Sequence, residues 1–275
     1  MSDSSMGRPA LDQARLAHTP GWRVEVVPET PSTNAVVSAR AREGTAEGLV
    51  VTTEHQTAGR GRLDRGWEMP PRAAIAVSVL LRPDVPAERW PWLPLMAGVA
   101  VVETVRELGC DAGLKWPNDV LVHGRKLCGI LVERVEGPAG SKPGAAAVVG
   151  IGLNTSLTAD ELPVPTATSL AIESGAPVDR TEVLVTLLAH LATAYDAWRE
   201  RPDELAAAYG RLSVTVGERV RAELPGRSAL VGQATGIDPW GRLEVRPDQG
   251  GESVAVGAGD VVHLRPAPPA EGGMT

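Results

Sequence analysis

The sequence predicts an α/β domain followed by a small all-β module, and three observations support this prediction. Strand-like and helix-like stretches alternate from residue 21 to residue 212. From residue 213 to residue 266, short valine-containing runs are separated by Gly, Pro or Asp every few positions, a spacing typical of a small β-barrel. Hydrophobic residues make up 43% and charged residues 22% of the 275 positions, which indicates a globular chain.

Local signals define the first elements. Residues 1–20 are small and polar, and we expect a disordered tail there. A weakly alternating stretch at 22–27 predicts the first strand. Ser32 precedes an Ala/Val/Arg run that ends at Gly44, and these are the start and stop signals of a helix. The Val- and Thr-rich residues 48–54 predict a buried strand.

Loops, strands and helices alternate in the middle of the chain. Residues 56–67 are rich in Gly and Arg and predict a loop, which precedes a strand at 73–81 and an apolar helix at 92–108. Strands at 119–122 and 126–135 flank a short turn and predict a hairpin. The remaining expectations are a loop at 137–144, a strand at 145–154, a loop-rich stretch at 155–180, helices at 181–200 and 203–212, and a disordered tail at 267–275.

Charge and cysteine content exclude several classes of function. With a net charge of −7, the chain lacks the electrostatic attraction to phosphate that is expected of a nucleic-acid binder. Cys110 and Cys128 have no metal-ligand spacing, and we expect Cys128 to be a small buried hydrophobic residue. The sequence has neither an apolar run of membrane-spanning length nor a signal peptide at its start. We therefore expect a cytoplasmic protein that binds neither membranes nor specific DNA.

The first motif with chemical content is the Gly- and Arg-rich run from Gly59 to Trp67. Glycines expose backbone N–H groups, and arginine side chains suit phosphate or carboxylate oxygens. Trp67 offers a flat face for a purine or closes the loop over a ligand; the alternative for the whole run is a solvated basic turn. The familiar phosphate-binding patterns are absent, because GxxxxGK[ST] does not occur and the GxG at Gly150 lacks its third glycine.

Two further motifs contain lysine, which this arginine-rich chain uses only three times. In the KWPND motif at 115–119, the Asp119 carboxylate suits Mg²⁺ and Lys115 suits a phosphate; the alternative is a strand entry with a Pro turn. Lys126 begins an apolar strand, where an ammonium can stabilise charge that develops during group transfer. Gly129 allows a ligand to approach the backbone closely. The alternative for Lys126 is an edge-strand lysine that blocks aggregation.

Together these motifs resemble the biotin–protein ligase family. The matching order is Ser32-Thr33-Asn34, Gln56 with the GRGR loop ending at Trp67, KWPND at 115–119, KLCGILVE at 126–133 and GIGLN at 150–154. The resemblance covers nearly all of residues 24–265, and five motifs in the right order are specific although each alone is weak. It implies a mixed-sheet, class II synthetase-like catalytic domain over 21–212 and an SH3-like barrel over 213–266.

The resemblance implies an ATP-dependent ligase that works in two steps. Biotin attacks the α-phosphate of ATP in the presence of Mg²⁺, and pyrophosphate leaves. An acceptor lysine then attacks the biotinyl-5′-AMP and forms an amide. Neither step needs a nucleophile from the enzyme, so the lack of a triad signature is no objection. The implied acceptor is the biotin carboxyl carrier domain of acyl-CoA or pyruvate carboxylases.

The resemblance also implies roles for individual residues. Lys126, Arg62 and Asp119 would carry the chemistry, with Asp119 assisting the metal or the acceptor lysine. Asp64 stands where many relatives have Gly, and it can temper the charge of the loop or pair with a neighbouring arginine. Biotin would contact Ser32, Thr33, Asn34, Gln56, Gly59, Arg60, Gly61, Arg62, Lys126 and Gly129. ATP or the adenylate would contact Arg62, Arg65, Trp67, Lys115, Asn118 and Asn154.

Several alternatives stay open from the sequence. A lipoate or octanoate ligase or transferase shares the implied fold, and a non-catalytic binding regulator is a second possibility. The segment ahead of Ser32 is too short for a helix-turn-helix domain, so we expect a monofunctional ligase without DNA-binding activity. We expect a monomer or a weak homodimer.

Overall fold

The structure is a computed structural model that describes residues 7–62, 65–137, 144–223, 228–257 and 260–263; for the last range it describes the backbone alone. The chain divides after Ser213 into two compact units. Among the described residues, no helix is long and apolar enough to span a membrane.

A mixed seven-stranded sheet forms the centre of the larger unit, as predicted. Its strands are β1 Arg23–Thr30, β2 Leu49–Gln56, β5 Ala74–Leu81, β6 Ala112–Lys115, β7 Asp119–Val122, β8 Arg125–Val135 and β9 Ala146–Asn154. Their order is β1-β2-β5-β9-β8-β7-β6. β1 and β2 run parallel, and the other neighbouring pairs are antiparallel. Two shorter strands, β3 Gly59–Arg60 and β4 Gly66–Trp67, pair with each other outside this sheet.

In the described part of the larger unit, six α-helices accompany the sheet. They are α1 Gln13–Leu16, α2 Thr33–Arg42, α3 Leu93–Glu107, α4 Leu170–Ser174, α5 Arg180–Glu200 and α6 Pro202–Leu212. The Ser32 side chain accepts a hydrogen bond from the Ala35 N–H and caps α2, which ends just before Gly44 at φ +85°. His123 and Gly124 both have positive φ, and this two-residue turn joins β7 to β8 as expected for a hairpin.

The two faces of the sheet carry different helices. α2 covers one face through a core cluster that includes Val37, Val51 and Val148. α3 packs on the opposite face, where Gly98 lies against Leu114 and Ile130. Successive residues of a strand point to opposite faces, so the neighbours of Ile130 in β8 project toward the side of α2. The functional motifs lie on that side.

Several predicted boundaries need correction, among them the first strand, which runs to Thr30 rather than Val27, and the strand β6, which was not predicted. The 56–67 segment is not all loop, because it contains the β3–β4 pair. A 3₁₀ turn at Ala87–Trp92 precedes α3, which therefore starts one residue later than the predicted helix. The 155–180 stretch contains a 3₁₀ turn at Ala159–Glu161 and the helix α4. Each missed element is too short to produce a periodic apolar pattern.

Residues 7–20 are packed onto the larger unit, so the prediction of a disordered tail is wrong for them; residues 1–6 lie outside the described chain. Leu11 and Leu16 are buried. The Leu11 N–H donates to Glu54 Oε1 at 2.7 Å, and Arg180 donates to the backbone of the segment at 2.8 Å. Composition suggested disorder because the two buried leucines are surrounded by polar residues. We call residues 7–20 the N-terminal arm.

Glu161 binds the N-terminal arm and makes the stability of the fold sensitive to acid. Burial alone would raise the pKa of its carboxyl, but hydrogen bonds from Arg8 and Thr158 outweigh burial and lower the pKa from 4.5 to about 2. A folded-state pKa below the unfolded value means that this stabilisation is complete above the unfolded pKa and is lost as the pH falls through the folded one. We expect Glu161→Gln to flatten the fall in melting temperature between pH 4.5 and pH 2.

Thermal unfolding across that pH range checks this expectation. The matched control is Glu204→Gln, which removes an exposed ion pair with Arg201. The melting temperature of this control should fall with decreasing pH in parallel with that of the wild type. If the Glu161→Gln profile also ran parallel to the wild type, the carboxylate would contribute nothing to stability above its folded pKa.

The smaller unit is a five-stranded antiparallel sheet. Its strands are β10 Arg219–Glu223, β11 Leu230–Ile237, β12 Leu243–Pro247, β13 Val254–Val256 and β14 Asp260–His263, in the order β13-β12-β11-β10-β14. Val220, Ala234 and Val245 are buried within it. The predicted all-β module at the C-terminal end is therefore confirmed.

Candidate functional site

A row of paired residues crosses the sheet on the face that carries α2. Lys115 pairs with Asp119, Asp119 with Gly129, Gly129 with Gly152, and Gly152 with Ala76. Residues paired directly across strands project from the same face. The row therefore has two charged residues at one end and a flat region of small residues beside them. We call Gly129 and Gly152 the glycine floor.

The indole of Trp67 lies against the glycine floor. A Cβ added at Gly152 would be 2.5 Å from Trp67 Cε2, and one at Gly129 would be 3.1 Å from Trp67 Cζ3. A Cβ at Gly152 would therefore displace the ring, whereas one at Gly129 would require a shift of only a few tenths of an ångström. Within the described part of the chain, Trp67 Nε1–H is buried and has no acceptor. A buried donor in this state suits a ligand or water that supplies an acceptor.

Lys126 and Asp119 form an ion pair at the edge of the glycine floor. Lys126 Nζ is 2.7 Å from Asp119 Oδ1 and 5.9 Å from the centroid of the Trp67 ring. The side chains of Lys126 and Asp119 are 37% and 23% exposed. The pair is thus partly shielded from water yet open to a ligand, and it brings together the KWPND and KLCG motifs.

Arg62 contacts the KWPND motif from the Gly- and Arg-rich run at 59–67, which we call the Arg/Gly loop. Its Nη1 donates to Asn118 Oδ1 at 3.2 Å, and Asn118 Nδ2 donates to the Ile130 carbonyl at 2.9 Å. The Gly61 N–H donates to the Arg65 carbonyl at 2.6 Å and closes the loop. Asp64 lies outside the described residues, so its predicted pairing stays a prediction. Tertiary structure thus brings three separate sequence motifs to one end of the sheet.

A buried polar network surrounds the start of α2. Gln56 Oε1 accepts from the Thr33 N–H at 2.9 Å and from the Thr33 hydroxyl at 3.2 Å. The Ser78 hydroxyl is 2.6 Å from Asn34 Oδ1, and Asn34 Nδ2 donates to Glu133 Oε2 at 2.7 Å. Both ends of the Asn34 amide therefore bind protein groups. This arrangement favours a supporting role for Asn34 over the predicted direct contact with a ligand.

Sequence reasoning assigned no role to Ser78 or Glu133. Ser78 is the one hydroxyl in the fully buried apolar strand β5, and a lone polar residue in such a strand is a usable signal. Glu133 lies inside a quoted motif, and it also accepts from Arg60 Nη2 at 3.4 Å. Glu133 therefore connects α2 to the Arg/Gly loop.

Replacing Ser78 should destabilise the fold. Ser78→Ala removes the buried donor to Asn34 and leaves that oxygen without its partner, which costs about 1–3 kcal/mol of unfolding free energy. Urea denaturation measures this loss. The control is Ser174→Ala, because the Ser174 hydroxyl is exposed and bonds its own turn, and about 0.5 kcal/mol or less is expected there. Equal losses in the two variants would contradict a special role for the Ser78 hydroxyl.

Asn154, at the end of β9, is connected to Lys126 by the following loop. Asn154 Nδ2 donates to the Thr168 carbonyl at 2.9 Å, and the Thr168 N–H donates to the Lys126 carbonyl at 2.9 Å. The Lys126 N–H in turn donates to the Thr166 carbonyl at 2.7 Å. We call residues 155–168 the site loop, because both of its ends meet predicted site residues.

Cys128 takes no part in this chemistry. It is fully buried, and burial raises the pKa of its thiol far above the ordinary value, so no thiolate forms near neutral pH.

Among the described residues, no three His, Cys, Asp or Glu side chains cluster as a ready-made metal site. An apolar pocket of about 200 Å³ beside α4 and α5 shares no residue with the site. The cationic Lys126 and Arg62 side chains at the glycine floor suit the binding of an anion beside a flat surface.

Known proteins are similar to this chain in both units. The profile of the biotin/lipoate A/B protein ligase family matches residues 26–154, and that of the biotin protein ligase C terminal domain matches residues 215–264. A biotin–[acetyl-CoA-carboxylase] ligase of Mycobacterium tuberculosis is 45% identical over 277 residues, which cover 96% of this chain and 100% of that protein. The corresponding ligase of Paracoccus denitrificans is 34% identical over 80% of this chain and 93% of its own length.

A solved structure supports the same likeness. The biotin protein ligase from Aquifex aeolicus in complex with biotin and ATP superposes with a TM-score of 0.74 and 26% sequence identity. The match covers 88% of this chain and 99% of that chain.

Proposed function

Because the chain belongs to the biotin protein ligase family, we propose that it activates biotin with ATP as biotinyl-5′-AMP and transfers the biotinyl group to a carboxylase. The observation that carries this function is the Lys126–Asp119 ion pair beside the glycine floor. A positive charge and a carboxylate side by side at the edge of a flat surface support the binding of an acyl phosphate there.

The first step joins two anions. A carboxylate oxygen of biotin attacks the α-phosphorus of ATP, the bond to the bridging oxygen breaks, and pyrophosphate leaves. We assign the neutralisation of charge to Lys126 and Arg62. A charge pair 4 Å apart is worth ~1 kcal/mol in water but ~4 kcal/mol at an effective dielectric of 20, so the partial burial of Lys126 strengthens this effect.

The second step forms the amide. The acceptor lysine amine attacks the acyl carbon of biotinyl-5′-AMP, AMP leaves, and the amine gives up a proton. Asp119 is the carboxylate that the ion pair holds at this point, and we propose that it orients the amine or accepts its proton. A covalent acyl-enzyme is not needed, and the buried Cys128 does not provide one.

The predicted contact residues divide between the two substrates. Thr33, the first residue of α2, is hydrogen-bonded to Gln56, and both side chains suit the ureido group of biotin. Ser32 and Asn34 support them. Biotin is further assigned to Gly59, Arg60, Gly61, Arg62, Lys126 and Gly129. The nucleotide is assigned to Arg62, Arg65, Trp67, Lys115, Asn118 and Asn154.

Mg²⁺ fits this site as a companion of ATP. Magnesium is commonly held by one or two carboxylates together with substrate phosphates. Asp119 is the single carboxylate in the pair with Lys126, so it would hold the ion jointly with the triphosphate. When bound, the ion would supply further neutralisation of phosphate charge.

The acceptor and the cellular setting belong to the same proposal. The acceptor lysine lies on a biotin carboxyl carrier domain of an acyl-CoA or pyruvate carboxylase. The enzyme works in the cytoplasm as a monomer or weak homodimer and binds no membrane and no specific DNA, as its acidic charge favours. Lipoate or octanoate ligation is disfavoured, since the curated relatives named above are biotin ligases.

Exchange of radiolabelled pyrophosphate into ATP tests this function directly. Exchange should require biotin, and Arg62→Ala should lower it about a hundredfold because a charge-stabilising donor is lost. Arg15→Ala, which removes an exposed ion pair with Glu182, is the matched control. Exchange with lipoate or octanoate in place of biotin would assign the chain to the sister activity. No exchange with any acid would reject adenylation.

A further inference from the structure

The site loop holds two predicted site residues in place from its two ends. It begins after Asn154 and returns beside Lys126 through the Thr166 and Thr168 hydrogen bonds already described. Between these ends, Leu157 is buried and packs in a cluster with Met69 and Ala76, and Ala76 belongs to the row that crosses the sheet. A shift of this loop would therefore move both Asn154 and Lys126.

The middle of the site loop is fastened by the N-terminal arm. Arg8 Nη1 donates to Glu161 Oε1 at 3.2 Å, Nη2 forms an ion pair with Glu161 Oε2, and Nη2 donates to the Ser156 carbonyl at 2.7 Å. The side chains of Arg8 and Glu161 are 9% and 16% exposed. Shielded, bidentate arginine–carboxylate pairs are the strong members of their class.

The arm itself is anchored, so Arg8 has a fixed base. The Pro9 carbonyl accepts from Arg180, whose other Nη2 hydrogen bond reaches Glu54 at 2.6 Å. The Asp12 N–H donates to Thr181 Oγ1 at 3.0 Å, and Leu16 is fully buried. Arg8 therefore links the site loop to an arm that is fixed to the core of the larger unit.

From these contacts we propose that Arg8 is a positioning residue of the nucleotide site, acting through Glu161 and Ser156 to hold the site loop, and with it Asn154, against Lys126. The proposal rests on the assignment of Asn154 to ATP in the proposed function. We call the contacts of Arg8 with Glu161 and Ser156 the clamp. A loop that is already fixed loses less conformational freedom when ATP binds, so the clamp increases the affinity for ATP.

The test uses the full chain and four variants. Arg8→Ala removes every contact of the clamp, Glu161→Gln removes its ionic part and leaves the Ser156 hydrogen bond, and a double variant carries both changes. Arg15→Ala lies on the same arm but removes an exposed ion pair with Glu182, which is not part of the site loop, and it serves as the control. Kinetics of biotin-dependent pyrophosphate exchange gives KM for ATP and kcat separately. Amide hydrogen exchange of residues 155–168 and urea denaturation of each variant report the loop and the global stability.

We expect Arg8→Ala to raise KM for ATP about tenfold with a smaller change in kcat, and to speed amide exchange in the site loop. The double variant should be no worse than Arg8→Ala, because both changes remove one interaction. If Arg8→Ala fails to fold, Glu161→Gln still tests the clamp. Wild-type KM and wild-type loop exchange in Arg8→Ala, or in Glu161→Gln where Arg8→Ala does not fold, would overturn the proposal. A wild-type protein without biotin-dependent exchange would instead reject the proposed function, while amide exchange would still test the clamp.

Discussion

Lys126→Ala is expected to lower biotin-dependent pyrophosphate exchange about a thousandfold, at the upper end of the effect of removing one charge-stabilising donor from an active site. Lys126 Nζ is 2.7 Å from Asp119 Oδ1 and lies at the edge of the glycine floor. Among the described residues, Lys126 is the lysine whose ammonium forms an ion pair with Asp119, whereas Lys115 lies one strand farther from the glycine floor, in β6. The variant should keep the fold, since both members of the pair are partly exposed.

The exchange rate at saturating biotin and ATP measures this effect, and urea denaturation confirms that the variant is folded. Lys142→Ala is the matched lysine control, because Lys142 belongs to none of the sequence motifs assigned to the site. Exchange by Lys126→Ala within about threefold of the wild type, a difference of under 1 kcal/mol in barrier height, would show that Lys126 only neutralises Asp119.

Gly152→Ala is expected to lower kcat/KM for pyrophosphate exchange about a hundredfold. The added Cβ would be 2.5 Å from Trp67 Cε2 and 2.7 Å from Cζ2. β9 lies between β5 and β8 and cannot withdraw, so the indole must lift from the floor. Trp67 pairs with Gly59 in the β3–β4 ladder, and the displacement would pass into the Arg/Gly loop. A misplacement of about 1 Å can cost a hundredfold in rate.

Gly210→Ala in α6 is the matched control for that variant. A Cβ at Gly210 meets nothing within 4 Å, so activity should stay at the wild-type level. Its unfolding free energy should rise by up to about 1 kcal/mol, because alanine favours a helix interior more than glycine does. Unchanged kinetics in Gly152→Ala would mean that Trp67 does not rest on the glycine floor while the enzyme works.

Several parts of the fold could be predicted from the sequence because their causes are local. The start of α2 at Ser32, its end before Gly44 and the β7–β8 turn at Gly124 each depend on residues a few positions apart. The order of motifs was enough to identify the family and therefore the expected chemistry. Similarity to known ligases confirms the family, and the structure confirms the mixed sheet and the C-terminal β module.

The tertiary structure alone decided which residues meet. The glycine floor exists because β8 and β9 pair in a register that places Gly129 opposite Gly152, and a shift of one residue would send one of them to the other face. The Ser78 network depends in the same way on the register of β5. Arg8 and Glu161 are 153 positions apart, and no local pattern in a polar N-terminal stretch could connect them. Local propensity acts over a few residues, whereas the site is assembled by strand register and by packing between distant segments.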